Sequence, residues 1–234
     1  MWDARALYTV SGVVHIPRGL TFFGSYCRTQ AFDVVLDTGS SDLWVATTAC
    51  VSCPRTIPVF DPSKSNSFNA TTLGTTIRYG QGQVTGQIVE DVVSMAGFSV
   101  TSQTFCVSLF FYSLFHRRSR LSCLVVAATD LSRELLGAQA AGLMGLGFTS
   151  LAATRSTPFW EALSDGGQFT TPEMGFQFTR ERGNPSAQSE EFGGTFTLGG
   201  TNSSLFTGDI EFLDMPSGTP SFWLLNMAGE WMPR

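Results

Sequence analysis

At 234 residues the chain is long enough to bury a sizeable core, as one large domain or two small ones. Charged residues make up only 14%, and 24 glycines and 20 phenylalanines each outnumber the 14 lysines and arginines, which describes a β-rich globular protein rather than a helical bundle. A net charge of −5 leaves no basic patch to neutralise phosphates and argues against nucleic acid as a partner.

Taken in chain order, the opening residues Met1-Trp2-Asp3-Ala4-Arg5 lack the apolar run of a signal peptide. A first strand is predicted over Phe32–Leu36. It runs into Asp37-Thr38-Gly39-Ser40-Ser41-Asp42 and then into a second apolar stretch, Leu43–Ala46. This layout presents one carboxylate at a strand end, on a turn where Gly39 permits close backbone approach. Further strands are expected over Thr76–Tyr79, Gln83–Val89, Val92–Met95 and Thr195–Leu198, a spacing that suits a β-sandwich or barrel. One helix is signalled: Thr157 as its cap, Pro158 at its first position, Phe159 to Leu163 apolar, and Gly166-Gly167 as its stop. The run Leu109–Phe115 is far shorter than the about 20 apolar residues of a membrane span and is cut off by His116-Arg117-Arg118. Gly193 to Gly200 lacks the Lys of a phosphate-binding loop, so nucleotide binding is not expected.

The five cysteines, Cys27, Cys50, Cys53, Cys106 and Cys123, leave at least one unpaired. Cys50-Val51-Ser52-Cys53 has the spacing of a zinc half-site, a redox pair or a small-loop disulfide. No second Cys/His pair accompanies it, His15 and His116 being remote, so no metal is expected. A disulfide is the favoured reading, which points to an oxidising compartment. Asn69-Ala70-Thr71 and Asn202-Ser203-Ser204 have the form of glycosylation acceptors.

The twelve residues Val34 to Val45, with Asp-Thr-Gly-Ser at their centre, resemble the first active-site segment of the pepsin-like aspartic peptidases. Ile77-Arg78-Tyr79-Gly80-Gln81-Gly82-Gln83-Val84-Thr85-Gly86 resembles the family's flap, a hairpin whose Tyr closes over bound peptide. Phe60 to Ser65 is similar to the turn before that flap, and Gly142 to Gly147 to the apolar segment behind the active-site loop. Gly199 to Gly208 and Ser221 to Leu225 resemble the approach to the second lobe, and the style is that of the secreted peptidases of filamentous fungi. The resemblance implies a mainly β fold, the N-terminal lobe of a pepsin-like acid protease with one or two short helices, over residues 31–225. It implies Asp37 as one catalytic carboxyl, with Thr38, Gly39 and Ser40 supporting it and the Ser40 hydroxyl keeping it ionised. Trp44 would support the hydroxyl of Tyr79, and Tyr79, Gly80 and Gln81 would form the substrate-binding flap. Cys50 and Cys53 are then the natural disulfide pair.

Three departures accompany these matches. The family's second Asp-Thr/Ser-Gly does not occur in the 234 residues, so the second lobe is expected to be missing, with 226–234 a truncated tail. Residues 1–30 lack the family's opening pattern, and 107–123 interrupt an otherwise continuous match. Both foreign stretches begin with Val-Ser, at Val10 and Val107, as the in-frame translation of an intron donor does; retained introns are expected, a genuine lineage-specific loop being the alternative. The implied function is an aspartic-type endopeptidase acting through water activated by paired carboxylates. The alternatives are an inactive peptide-binding lobe or gene-model fragment, and a homodimer in which each chain supplies one Asp. No cofactor is implied; the expected partners are polypeptide substrates, with no nucleic acid and no membrane, and the expected state is a monomer, secreted or vacuolar by family.

Overall fold

The computed structural model describes residues 30–50, 53, 55–80, 83–108, 140–178 and 194–226, and the strand placement alone of 5–6, 20–22 and 82. In chain order the strands are β1 (Arg5–Ala6), β2 (Leu20–Phe22), β3 (Gln30–Phe32), β4 (Val34–Asp37), β5 (Leu43–Ala46), β6 (Asn69–Tyr79), β7 (Gly82–Met95), β8 (Phe98–Ser108), β9 (Gly142–Gly145), β10 (Met174–Phe178), β11 (Gly194–Leu198) and β12 (Leu213–Asp214). Among the described residues, one α-helix, α1 (Phe159–Asp165), accompanies them. The fold is mainly β, as the composition requires.

Among the described residues, eight strands join one curled sheet in the order β3-β2-β7-β8-β5-β9-β4, with β6 also on β7. Toward one end of that order the chain crosses over: β9 lies between β4 and β5, parallel to the first and antiparallel to the second. Strands β4, β5 and β9 are buried on both faces, which is why they read as unbroken apolar runs. Side-chain alternation then sorts them. Val34, Leu36, Leu43, Val45, Phe105, Val107 and Met144 enter one core cluster. Val35, Trp44, Ala46, Cys106 and Leu143 enter the other.

The expected strand Phe32–Leu36 is two strands, because the chain changes partner at Asp33: β3 pairs with β2, whereas β4 pairs with β9. Conversely, the expected strands Gln83–Val89 and Val92–Met95 are one, β7, carrying an irregularity between Asp91 and Val93. The β7–β8 hairpin turns on Ala96 and Gly97, at φ 53° and 88°, the positive values a type I′ turn requires. Val107 and Ser108, the first residues of the expected insert, continue β8 and are buried. Leu20–Phe22, within the N-terminal stretch expected to be foreign, pairs with both β3 and β7. The Gly193–Gly200 segment supplies β11, paired antiparallel with β10.

Pro158 takes the cap position of α1 instead of its first turn, since its ψ of 152° is extended; the helix begins one residue later than expected. Gly166 ends it as expected, and Gly167 follows at φ 65°. No described helix is long and apolar enough to cross a membrane.

Close approach at β9 depends on its glycines. A methyl group on Gly145 would collide with the backbone of Ser41, and one on Gly142 with the carbonyl of Trp44. Because the obstacle is backbone on both sides, Gly145→Ala should lower the unfolding free energy by about 1–3 kcal/mol. Urea denaturation of the full chain checks this, and an unchanged midpoint would show that β9 can move away from the turn.

Candidate active site

Asp37 is the last residue of β4, in register with Gly145 of β9, and is partly exposed where the strand gives way to the turn. The turn folds back on its own acid. The Gly39 N–H donates to Asp37 Oδ1 at 2.8 Å, and the Ser40 hydroxyl donates to Oδ2 at 2.6 Å. Each carboxylate oxygen thus has one donor from the turn. Short Asp/Ser contacts of this kind are what such turns favour locally; here the same contacts hold both oxygens in fixed directions. Thr38 is half-buried beside them, and Gly39 is exposed.

The turn is held from behind. The N–H groups of Gly145, Leu146 and Gly147 donate to the carbonyls of Asp42, Asp37 and Ser40 at 2.9, 2.7 and 2.7 Å. The carbonyls of Leu146 and Gly147 in turn accept the indole N–H groups of Trp223 and Trp160, at 2.7 and 2.9 Å. Ser41, buried at 2% exposure, donates its hydroxyl to the Phe148 carbonyl at 2.7 Å. Phe148, Trp160 and Trp223 pack as a trio with ring centroids 4.6 to 5.5 Å apart. Ser221 to Leu225, expected to lead toward a second lobe, is therefore fastened to the segment behind Asp37.

The hairpin β6–β7 brings up the second group of expected site residues. Tyr79 pairs with Gly82, leaving Gly80 at its tip. Gly80 is exposed with open space where a Cβ would stand; Gln81 lies outside the described residues. Trp44, buried on the other strand pair, donates its indole N–H to the Tyr79 hydroxyl at 2.8 Å. Burial pushes the Tyr79 hydroxyl well above its usual range. The Trp44 hydrogen bond opposes that shift, the carboxylates of Asp42 and Asp37 add to it, and Ser40 opposes it weakly. The phenol therefore stays protonated.

Cys50 and Cys53, which follow β5 in the chain, form a disulfide with Cα atoms 5.5 Å apart; Cys27 and Cys123 lie outside the described residues. Asn69 and Asn202 are both exposed. Asn69 donates to Glu90 at 3.3 Å, and Asn202 accepts from the Ser204 hydroxyl at 2.7 Å. Among the described residues, no three His, Cys, Asp or Glu side chains cluster as a metal site would need.

Asp42 is a further acid of the site that no local motif marks. It is buried at 3% exposure, and its carboxylate accepts from Ala153 N–H at 2.8 Å and from the Thr154 N–H and hydroxyl at 2.9 and 2.6 Å. Its only signal is an acid set between a turn and the apolar run Leu43–Ala46. Local sequence does not reveal that its partners lie 111 residues on.

The family model of the eukaryotic aspartyl proteases matches residues 27–232 of this chain. The chain belongs to that family. It is 37% identical over 83% of its length to major aspartyl peptidase 1 of Cryptococcus neoformans var. grubii, covering 36% of that protein. It is 29% identical to cathepsin E of Cavia porcellus over 86% of its length and 28% identical to pepsin A of Sus scrofa over 85%, covering 44% of each. The chain thus spans less than half the length of these relatives. Within this eukaryotic aspartyl protease lobe, the Trp44–Tyr79 contact joins the two site elements directly. A double-mutant cycle of Trp44→Phe and Tyr79→Phe should give a coupling of about 0.5–1.5 kcal/mol in urea unfolding; a coupling of zero would mean that the two side chains act separately.

Proposed function

We propose that the protein is an aspartic-type endopeptidase and that Asp37 is one of its two catalytic carboxyls. The observation that carries this reading is the partly exposed Asp37 carboxylate, fixed at a strand end by the Gly39 N–H and the Ser40 hydroxyl. Hydrolysis of an amide without metal or covalent nucleophile needs a base to activate water and an acid to protonate the leaving amine. Two carboxyls sharing one proton perform both tasks, since like charges a few ångströms apart do not both ionise; the aspartic-protease dyad is the standard case of that rule. Thr38, Gly39 and Ser40 hold the first carboxyl. Its counterpart comes from outside the described residues, either from a second Asp-Thr/Ser-Gly segment of a longer polypeptide or from a second copy of the chain. The length of the relatives favours the first source.

The β6–β7 hairpin is the flap in this reading. Tyr79 stays protonated and tethered to Trp44, so it is a hydrogen-bond donor at a defined place when the hairpin closes over peptide. Gly80 and Gln81 form the tip that closes over the substrate backbone. The partners are polypeptides, the working unit is a monomer carrying both lobes, and neither nucleic acid nor an organic cofactor or metal takes part. The disulfide Cys50–Cys53 and the exposed Asn69 and Asn202 support a secreted or vacuolar setting.

Two variants of the full-length protein test these roles on a denatured protein substrate at acidic pH. Asp37→Asn should lower turnover by about 10²–10⁴-fold or more without loss of fold, because the dyad loses its ionised member. Turnover that survives this change removes Asp37 from its role. Tyr79→Ala should reduce kcat/KM more than it reduces the melting temperature; the opposite pattern makes Tyr79 a core residue and not a flap residue.

A further inference from the structure

Asp42 differs from every other acid near the site in being buried while making no ion pair with a described residue. An unpaired buried charge is costly unless hydrogen bonds replace its hydration. All of the donors that do so come from one short loop, Ala153–Thr154, between the turn at Thr149–Leu151 and α1. The next residue, Arg155, sits at φ 59°, a left-handed conformation that is strained for a long side chain and needs its surroundings to hold it. On its other side the same loop meets the hairpin: the Thr75 hydroxyl of β6 points to the Ala153 carbonyl at a long 3.5 Å. The Asp42 backbone is meanwhile fixed to β9, its carbonyl accepting the Gly145 N–H. One residue therefore grips the Asp37 turn by its backbone and the loop beside the hairpin by its side chain.

We propose that Asp42 is a positioning residue of the peptide-hydrolysing site: by clamping the Ala153–Thr154 loop to the Asp37 turn it fixes the base of the Tyr79 hairpin, and so governs how tightly peptide is held. The role in hydrolysis rests on the endopeptidase reading; the clamp itself does not. Its reach to the hairpin has a second sign, since the Asp42 carboxylate weighs more than that of Asp37 in keeping the Tyr79 hydroxyl protonated. A carboxylate suits the task because it offers acceptor positions on two oxygens at once, where an amide offers one oxygen.

The test uses Asp42→Ala, Asp42→Asn, Thr154→Val and Asp37→Asn in the full-length protein, with amide hydrogen exchange and steady-state kinetics read side by side. Asp42→Ala should speed exchange about tenfold or more both at Ala153 and Thr154 and across residues 75–79 of the hairpin. KM should rise about tenfold while kcat stays within about threefold. Asp42→Asn, which keeps one acceptor oxygen, should fall between Asp42→Ala and the wild type, and Thr154→Val should shift both segments in the same direction by less. Asp37→Asn should abolish turnover yet leave exchange in both segments unchanged. Faster exchange confined to the loop, with the hairpin unmoved, would overturn the proposal. A fall in kcat at constant KM would overturn it too. Should Asp42→Ala fail to fold, Asp42→Asn and Thr154→Val decide, and wild-type exchange in both variants counts against the clamp. A wild-type protein without turnover would refute the endopeptidase reading alone, because hairpin exchange still decides whether Asp42 clamps.

Discussion

Three backbone hydrogen bonds hold the candidate site together: those from Gly145, Leu146 and Gly147 to the carbonyls of Asp42, Asp37 and Ser40. A turn built of Asp, Thr, Gly and Ser is conformationally loose on its own, because its residues favour many turn geometries. Fastened along one edge to a sheet strand, it loses that freedom, and the Asp37 carboxylate acquires a fixed position. The glycines of β9 make the fastening possible by letting two backbones approach to a distance that excludes a side chain. The same segment is satisfied on its other edge, where Trp160 and Trp223 donate to the carbonyls of Gly147 and Leu146. Buried backbone groups are thus paired on both sides, as a dry interior demands.

That arrangement also explains why the sheet must be buried on two faces. A single-faced sheet would leave either Trp44 or Val45 in water. Here alternation sends Val45 into the larger core and Trp44 into the smaller one, where it meets Tyr79. The smaller cluster therefore links the Asp37 turn to the hairpin through β5, a route of apolar contacts ended by one hydrogen bond. The carboxylates nearby cooperate with burial in keeping the Tyr79 proton in place.

Much of the site was legible because its signals are local. Asp37, Gly39 and Ser40 interact within three residues, and Tyr79 sits on a hairpin whose turn is two residues long; both patterns are written in adjacent positions. The family resemblance rested on such local segments and held over 27–232. Element boundaries were less legible. Phe32–Leu36 read as one strand because its apolar run is continuous, and the break at Asp33 arises only from a change of partner strand. The long strand β7 read as two because Glu90 and Asp91 interrupt the apolar pattern, although Asp91 is buried and takes hydrogen bonds from Ser65 and Ser67.

The sequence by itself determined the class of fold, the acid at the strand end, the hairpin with its Tyr, the Cys50–Cys53 pairing and the helix with its glycine stop. The fold class follows from the composition of the whole chain and the spacing of its apolar runs. The others follow from residue chemistry acting over fewer than about ten positions, the range in which turn, cap and alternation rules operate. Only the tertiary structure decided that β9 passes between β4 and β5, that Trp44 meets Tyr79 across 35 residues, and that Asp42 is buried against a loop 111 residues away. Those contacts join segments with no shared local signal. Which of them form depends on the shape of the completed core, since a buried N–H, hydroxyl or carboxylate takes whatever partner the packing of distant strands brings within about 3 Å.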